Sequence, residues 1–181
     1  MNNVTPHKNI IYLKLPLYVR DYIADKYGGQ PVVLTRHSVA WQYLQGGFYR
    51  NVELRMMSKT CHCPAVVSER GIDVSGFLSL VLPDEYVMKG LRLETNAFCC
   101  LTKDNEKKTR AALSSEFWRD LFLYVEDTEI NGRRMDRNYR PNVSAAILDF
   151  MISSGINIDH YETVVRNYKR EKLAVLKKAL K

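Results

Sequence analysis

The stretch Gly132-Arg133-Arg134-Met135-Asp136-Arg137-Asn138-Tyr139-Arg140-Pro141 places four arginines within eight residues. Guanidinium forks at this density match phosphate oxygens, which they can bind in a bidentate way. Arg133, Arg134, Arg137 and Arg140 are therefore candidates for phosphate contacts, or for an arm lying in a minor groove. A second group follows in Arg166, Asn167, Lys169, Arg170 and Lys177, at spacings that fall on one side of a helix. Together these nine residues are the expected nucleic-acid-binding set.

Other chemistry finds less support. Cys61-His62-Cys63 and Cys99-Cys100 hold all four cysteines and one of the four histidines. Structural zinc sites pair their ligands two to four residues apart, so a C-x-C pair and an adjacent pair do not suit one ion. Ordinary small, buried thiols are the expectation. His7, His37, His62 and His160 do not fall at ligand spacing. The sequence has no G-x-S-x-G, H-E-x-x-H, P-loop or G-x-G-x-x-G. The acidic pairs Asp84-Glu85 and Glu126-Asp127 read as caps or surface pairs. No catalytic residue, cofactor or metal is assigned, and a non-catalytic protein is expected.

The charge distribution agrees with the arginine run. Residues 133–181 carry eleven Lys or Arg against five Asp or Glu, which is +6. Residues 1–132 carry sixteen against fifteen, so the larger part is nearly neutral within a chain of net charge +7. Such asymmetry points to a negatively charged partner at the C-terminal end, most simply a nucleic acid backbone. Hydrophobic content of 46% and charged content of 26% are those of a globular protein. No apolar run approaches the length of a membrane span, and the polar start Met-Asn-Asn-Val-Thr-Pro-His-Lys is unlike a signal peptide. The expectation is a cytoplasmic protein with reduced thiols and no membrane partner.

These residues need elements to hold them. Asn9–Leu15 reads as a strand stopped by Pro16, and Leu17–Tyr27 as a helix closed by Gly28-Gly29. Gln30–Thr35, Asn51–Met57, Ala65–Val67 and Gly76–Leu82 read as strands, and Ser38–Gln45 as a short helix. Ser114-Ser115-Glu116 opens a helix to about Glu126, with Phe117, Trp118, Leu121, Phe122 and Val125 as its apolar stripe and Trp118 and Phe122 in the core. Asn142 caps a helix from Val143 to Ser154, burying Val143, Ile147, Phe150 and Met151, and Gly155 occupies the C′ position. Asp159 and Glu162 have capping-box spacing before a last helix. Its stripe is read as Tyr161, Val164, Val165, Tyr168, Leu173, Leu176 and Leu180.

The expected fold is α+β: a mixed strand–helix body over 1–132, a basic linker over 133–141 and a C-terminal basic helical pair over 142–181. Helix, glycine-containing turn and basic helix is a helix-turn-helix-like outline, although Met151 stands where that motif usually has a small residue. The strand–helix Ile10–Tyr27 resembles the opening of ribbon–helix–helix DNA-binding proteins, in which Tyr12 and Lys14 would read the major groove. Gly28-Gly29 and the strand after it interrupt that pattern, so Tyr12 and Lys14 are read as edge-strand residues. The string Ile147-Leu148-Asp149-Phe150-Met151, Gly155-Ile156, Asp159-His160-Tyr161-Glu162-Thr163 and Tyr168-Lys169-Arg170 resembles the tails of uncharacterised proteins of bacterial mobile elements and prophages. That resemblance implies a bacterial or phage setting and a role on DNA. Nucleic acid, with DNA favoured, is the expected partner. The alternative is an interaction module whose last helix docks through Leu173, Leu176 and Leu180 on a partner or on a second copy, forming a homo-oligomer.

Overall fold

The computed structural model describes residues 10–44, 48–49, 61–62, 67, 71–82, 100–101 and 103–179. The strand expected at Asn51–Met57 lies outside them. The chain divides into two compact units, one of Met1–Pro16 with Tyr27–Leu113, the other of Leu17–Lys26 with Ser114–Lys181. The architecture is α+β. Among the described residues no helix is long and apolar enough to cross a membrane.

The first unit is built on a small mixed sheet. Strand β1 (Ile10–Leu13) is β-branched and aromatic, and its alternation puts Ile11 and Leu13 in the core. The other strands of this sheet are β2 (Val32–Val33), β4 (Cys61–His62) and β5 (Leu78–Val81), in the order β2-β5-β1-β4. β1 runs antiparallel to β5, with Ile11 opposite Leu80, and antiparallel to β4, with Tyr12 opposite His62; β2 runs parallel to β5. Tyr12 therefore lies in an internal strand rather than at an edge. The expectation failed because a strand that pairs on both sides and one that pairs on one side share the same alternation.

Two short strands, β3 (Phe48–Tyr49) and β6 (Cys100–Leu101), form an antiparallel pair. Helix α1 (Leu17–Lys26) follows Pro16, and α2 (Val39–Leu44) follows Ser38, whose Oγ accepts from the Thr35 amide at 2.9 Å. Ala40, Trp41 and Leu44 of α2 are buried.

Helix α3 (Lys103–Met135) is the longest element, 33 residues. It gives Lys103–Leu113 to the first unit and Ser114–Met135 to the second. Asp104 and Glu106 lie in its first turn and Arg133 and Arg134 in its last, the charge order that a helix dipole favours. The expected helix was shorter, Ser114 to about Glu126. Its first part escaped notice because the residues it buries include Glu106 and Thr109, which leave no apolar stripe to read.

The second unit is helical. Its remaining elements are α4 (Val143–Ser153), a 3-10 turn (Ile158–His160) and α5 (Tyr161–Ala179). Asn142 caps α4 as expected, accepting from the Ala145 amide at 3.0 Å. At the other end the Ile156 amide bonds Met151 O at 2.9 Å and the Gly155 amide bonds Ile152 O at 3.3 Å, a Schellman closure with Gly155 at φ 61° and Ile156 buried beneath it. The capping box expected at Asp159 is replaced by Asn157, whose Oδ1 accepts from the Asp159 amide at 3.0 Å. The 3-10 turn moves the start of the helical segment two residues upstream. Ile147, Phe150 and Met151 are buried and Val143 is half-buried.

Aromatic rings form the centre of this unit. Phe117 meets Tyr18 at 5.3 Å, Tyr22 at 5.4 Å and Trp118 at 4.8 Å between centroids. Phe150 stacks on Tyr22 at 5.6 Å and Phe122 meets Tyr168 edge-on at 5.1 Å. Tilted and edge-to-face pairs of this kind each add ~0.5–1.5 kcal/mol beyond area burial.

Candidate nucleic-acid interface

The expected basic linker is an ordered corner. Helix α3 does not stop before it, and Arg133 and Arg134 stand on its last turn. The Asp136 carboxylate accepts from the Asn138 amide at 2.8 Å and the Asp136 carbonyl from the Tyr139 amide at 3.0 Å, an Asx-type turn that reverses the chain. The Tyr139 ring lies directly against Gly132: a Cβ there would meet ring carbons at 2.4–2.6 Å. A glycine inside the last turns of a helix is thus accounted for by the ring it admits. Around this corner Arg133, Arg134, Arg137 and Arg140 are all exposed, and Met135 is 91% exposed.

On α5 the helical period sorts the second group. Val164 and Tyr168 are buried, while Arg166, Lys169 and Arg170 (i, i+3, i+4) face outward. Asn167 is half-buried, with Nδ2 3.4 Å from Tyr18 Oη, so it belongs to the packing of the helix more than to its outer face. Arg170 is paired with Glu171 at 3.3 Å. Among the described residues, Arg133, Arg134, Arg137, Arg140, Arg166 and Lys169 have no carboxylate partner. Lys177 falls within the backbone of α5.

The expected apolar stripe of α5 divides. Leu173 is 58% exposed, seven residues after Arg166 and four after Lys169, and so on the outer, basic face. An i+5 step from Tyr168 carries a side chain some 140° round the helix. Leu180 lies outside the described residues.

Helix α1 is fixed to α3 by ion pairs. Lys26 Nζ lies 2.6 Å from Glu116 Oε1 and 2.6 Å from Asp120 Oδ2. Asp120 also accepts from Tyr22 Oη at 2.5 Å and from Arg119 Nε at 2.9 Å. Burial raises the Asp120 carboxyl, but hydrogen bonds from Lys26, Tyr22 and Arg119 outweigh it and hold the group below its ordinary value. Burial together with Asp120 pushes the Tyr22 hydroxyl up to about 12. Burial alone would lower Lys26; its bonds to Asp120 and Glu116 raise it instead. Tyr124 donates likewise to the Asp149 carboxylate, joining α3 to α4.

A groove of about 350 Å³ opens between α3 and α5. Trp118, Phe122 and Leu123 form its apolar wall, Ala174 the facing one, and Arg119 and Glu171 its rim. Trp118 and Phe122, expected in the core, are half-buried, with their rings 6.1 Å apart at 29°. Leu121 and Val125 take the buried positions of the same helix. The sequence signal for the groove was present in the spacing of Trp118, Arg119 and Phe122 (i, i+1, i+4), but nothing along the chain tells a groove wall from a core wall.

Cys61 and His62 lie in β4 and Cys100 in β6; Cys63 and Cys99 are outside the described residues. Among the described residues no three His, Cys, Asp or Glu are grouped to hold a metal ion. Comparison of the chain with protein-family models, curated proteins and solved structures gave no match.

Proposed function

We propose that this protein binds nucleic acid without catalysis, with DNA favoured, through the arginine corner and the outer face of α5. The carrying observation is the state of the cations. Arg133, Arg134, Arg137, Arg140, Arg166 and Lys169 are exposed and without carboxylate partners among the described residues. Such groups can exchange their counterions for phosphates at little cost in existing pairs. The α4–turn–α5 pair has a helix-turn-helix-like outline, and it is ordered by Asn142, the Gly155 closure and Asn157. The acidic Asp159 and Glu162 stand at the start of the second helical segment and the cations one turn and more beyond. That order suits backbone contact better than base reading, which uses the first turns of a recognition helix. A cytoplasmic, bacterial or phage setting fits this role.

The test is fluorescence anisotropy of a labelled random-sequence duplex at low and near-physiological salt. Micromolar affinity that weakens with salt, and weakens further when Arg133, Arg134, Arg137 and Arg140 are changed to alanine, is the expected outcome. Absence of binding at low salt would overturn the proposal.

The exposure of Leu173 favours a second reading, in which this face docks on a protein or on a second copy of the chain. Sedimentation of the wild type against Leu173→Glu separates them. A dimer that dissociates in the variant supports docking on a second copy; a monomer in both removes that form of the second reading.

A further inference from the structure

We infer that the groove between α3 and α5 is a stacking site for one unpaired base of a single-stranded nucleic acid. The inference rests on the nucleic-acid reading above and names the form of ligand that the site prefers. At about 350 Å³ the groove is at the small end of ligand sites, room for one base with its sugar. Its wall includes Trp118 and Phe122, both half-buried, with their rings 6.1 Å apart at 29°, and aromatic rings in such walls hold bases of any sequence by stacking. Trp118 also packs on the buried Phe117 in an edge-to-face pair, 4.8 Å between centroids at 72°, so its position is set before a ligand arrives.

Two exposed arginines flank the groove, each sharing its charge with a neighbouring carboxylate. Arg119 lines the groove and is 60% exposed; its Nε donates to Asp120 at 2.9 Å, which leaves its terminal nitrogens for a phosphate. Arg170 is 72% exposed on the other helix, one turn before the lining residue Ala174, with its guanidinium 3.3 Å from the lining Glu171. The base would lie on the rings while the flanking phosphates meet Arg119 and Arg170. Glu171, which lines the groove, can take a hydrogen bond from a base N–H, the N3–H of thymine or uracil included. The outer face of α5, with Arg166 and Lys169, continues the basic surface along the same helix. A base paired within a duplex cannot present its face to the groove, so single strands are preferred.

The protein supplies its own reporter. It has two tryptophans, and Trp41 is only 2% exposed, so ligand-induced changes in emission come mainly from Trp118. The experiment titrates the full chain, and its Phe122→Leu and Trp118→Leu variants, with oligothymidylate, oligouridylate and a duplex of equal length. Emission and anisotropy are recorded together. Saturable quenching by a single strand, tighter strand than duplex binding, and a loss of strand affinity of ~10-fold or more in either variant with duplex affinity unchanged are expected. The two strands separate DNA from RNA, and quenching by either supports the site. Strand binding with no change in wild-type emission overturns the stacking site and leaves the basic-surface reading standing, a result that needs no variant to fold. Failure of all three nucleic acids to bind overturns both.

Discussion

Lys26 and Asp120 tie α1 to α3 in the helical unit. Glu116 is 4% exposed and Lys26 is the cation 2.6 Å from it. Lys26→Met removes both of these ion pairs while Asp120 keeps its bonds from Arg119 and Tyr22, and the loss should be ~2–3 kcal/mol, that of charge-assisted bonds to partly exposed groups. Tyr22→Phe removes one charge-assisted bond and should cost ~1–2 kcal/mol. Urea unfolding gives both values, and a Lys26→Met loss no larger than that of Tyr22→Phe would show that the pair contributes nothing beyond an ordinary hydrogen bond. The pH dependence has a sign at each end. Asp120 lies below its ordinary 3.8, so its contribution is complete above that value and is lost as pH falls beneath it. Tyr22, pushed up to about 12 from 10.0, and Lys26, raised above 10.5, contribute fully below pH 10. Their part is lost as pH rises from 10 toward 12. Stability measured against pH should be flatter from 10 to 12 in Tyr22→Phe and Lys26→Met than in the wild type.

Elements were legible where caps and period agreed. Helix α1 follows a proline, and α4 has Asn142 before it and Gly155 after it, so local chemistry marks each boundary. The corner at residues 132–141 was not legible, because Gly132 is a poor helix residue on its own and only the ring of Tyr139, seven residues on, accounts for it. The stripe of α5 was misjudged at Leu173 because helical spacing tolerates an i+5 step on paper that the rotation does not. These two positions yield the element-scale tests. Gly132→Ala should displace the Tyr139 ring and loosen the turn at Asp136, so trypsin should cut after Arg137 several-fold faster while the circular dichroism stays helical; an unchanged rate would mean that the ring does not hold the corner. Gly155→Ala places a side chain at φ 61°, with a Cβ 3.1 Å from an Asp25 oxygen. It should cost ~1–2 kcal/mol, against about 1 kcal/mol for Asn142→Ala, as read from thermal or urea midpoints. Of the candidate site, the cations were legible as composition, whereas the groove beside them depends on two helices meeting, a relation that no local pattern encodes.

At the scale of the molecule, +6 of the +7 net charge lies in residues 133–181. That concentration makes salt the variable that separates a working surface from a solubilising one. For duplex DNA the slope of log affinity against log salt is about −0.9 per phosphate neutralised. If the arginine corner and the α5 face engage one ligand together, replacing Arg133, Arg134, Arg137 and Arg140 by alanine should reduce the slope by up to ~3.6. Replacing Arg166, Lys169 and Arg170 should reduce it by up to ~2.7, with less from Arg170, whose charge is shared with Glu171. Because each contact releases its own counterions when it forms, the two reductions should add in the combined variant. A solvated face behaves differently: its charges alter the long-range field, so each variant would lower affinity slightly at low salt with little change of slope. A slope change confined to the corner variant would assign binding to the arginines alone, leaving the α4–turn–α5 pair as their support; one confined to the α5 variant would do the reverse.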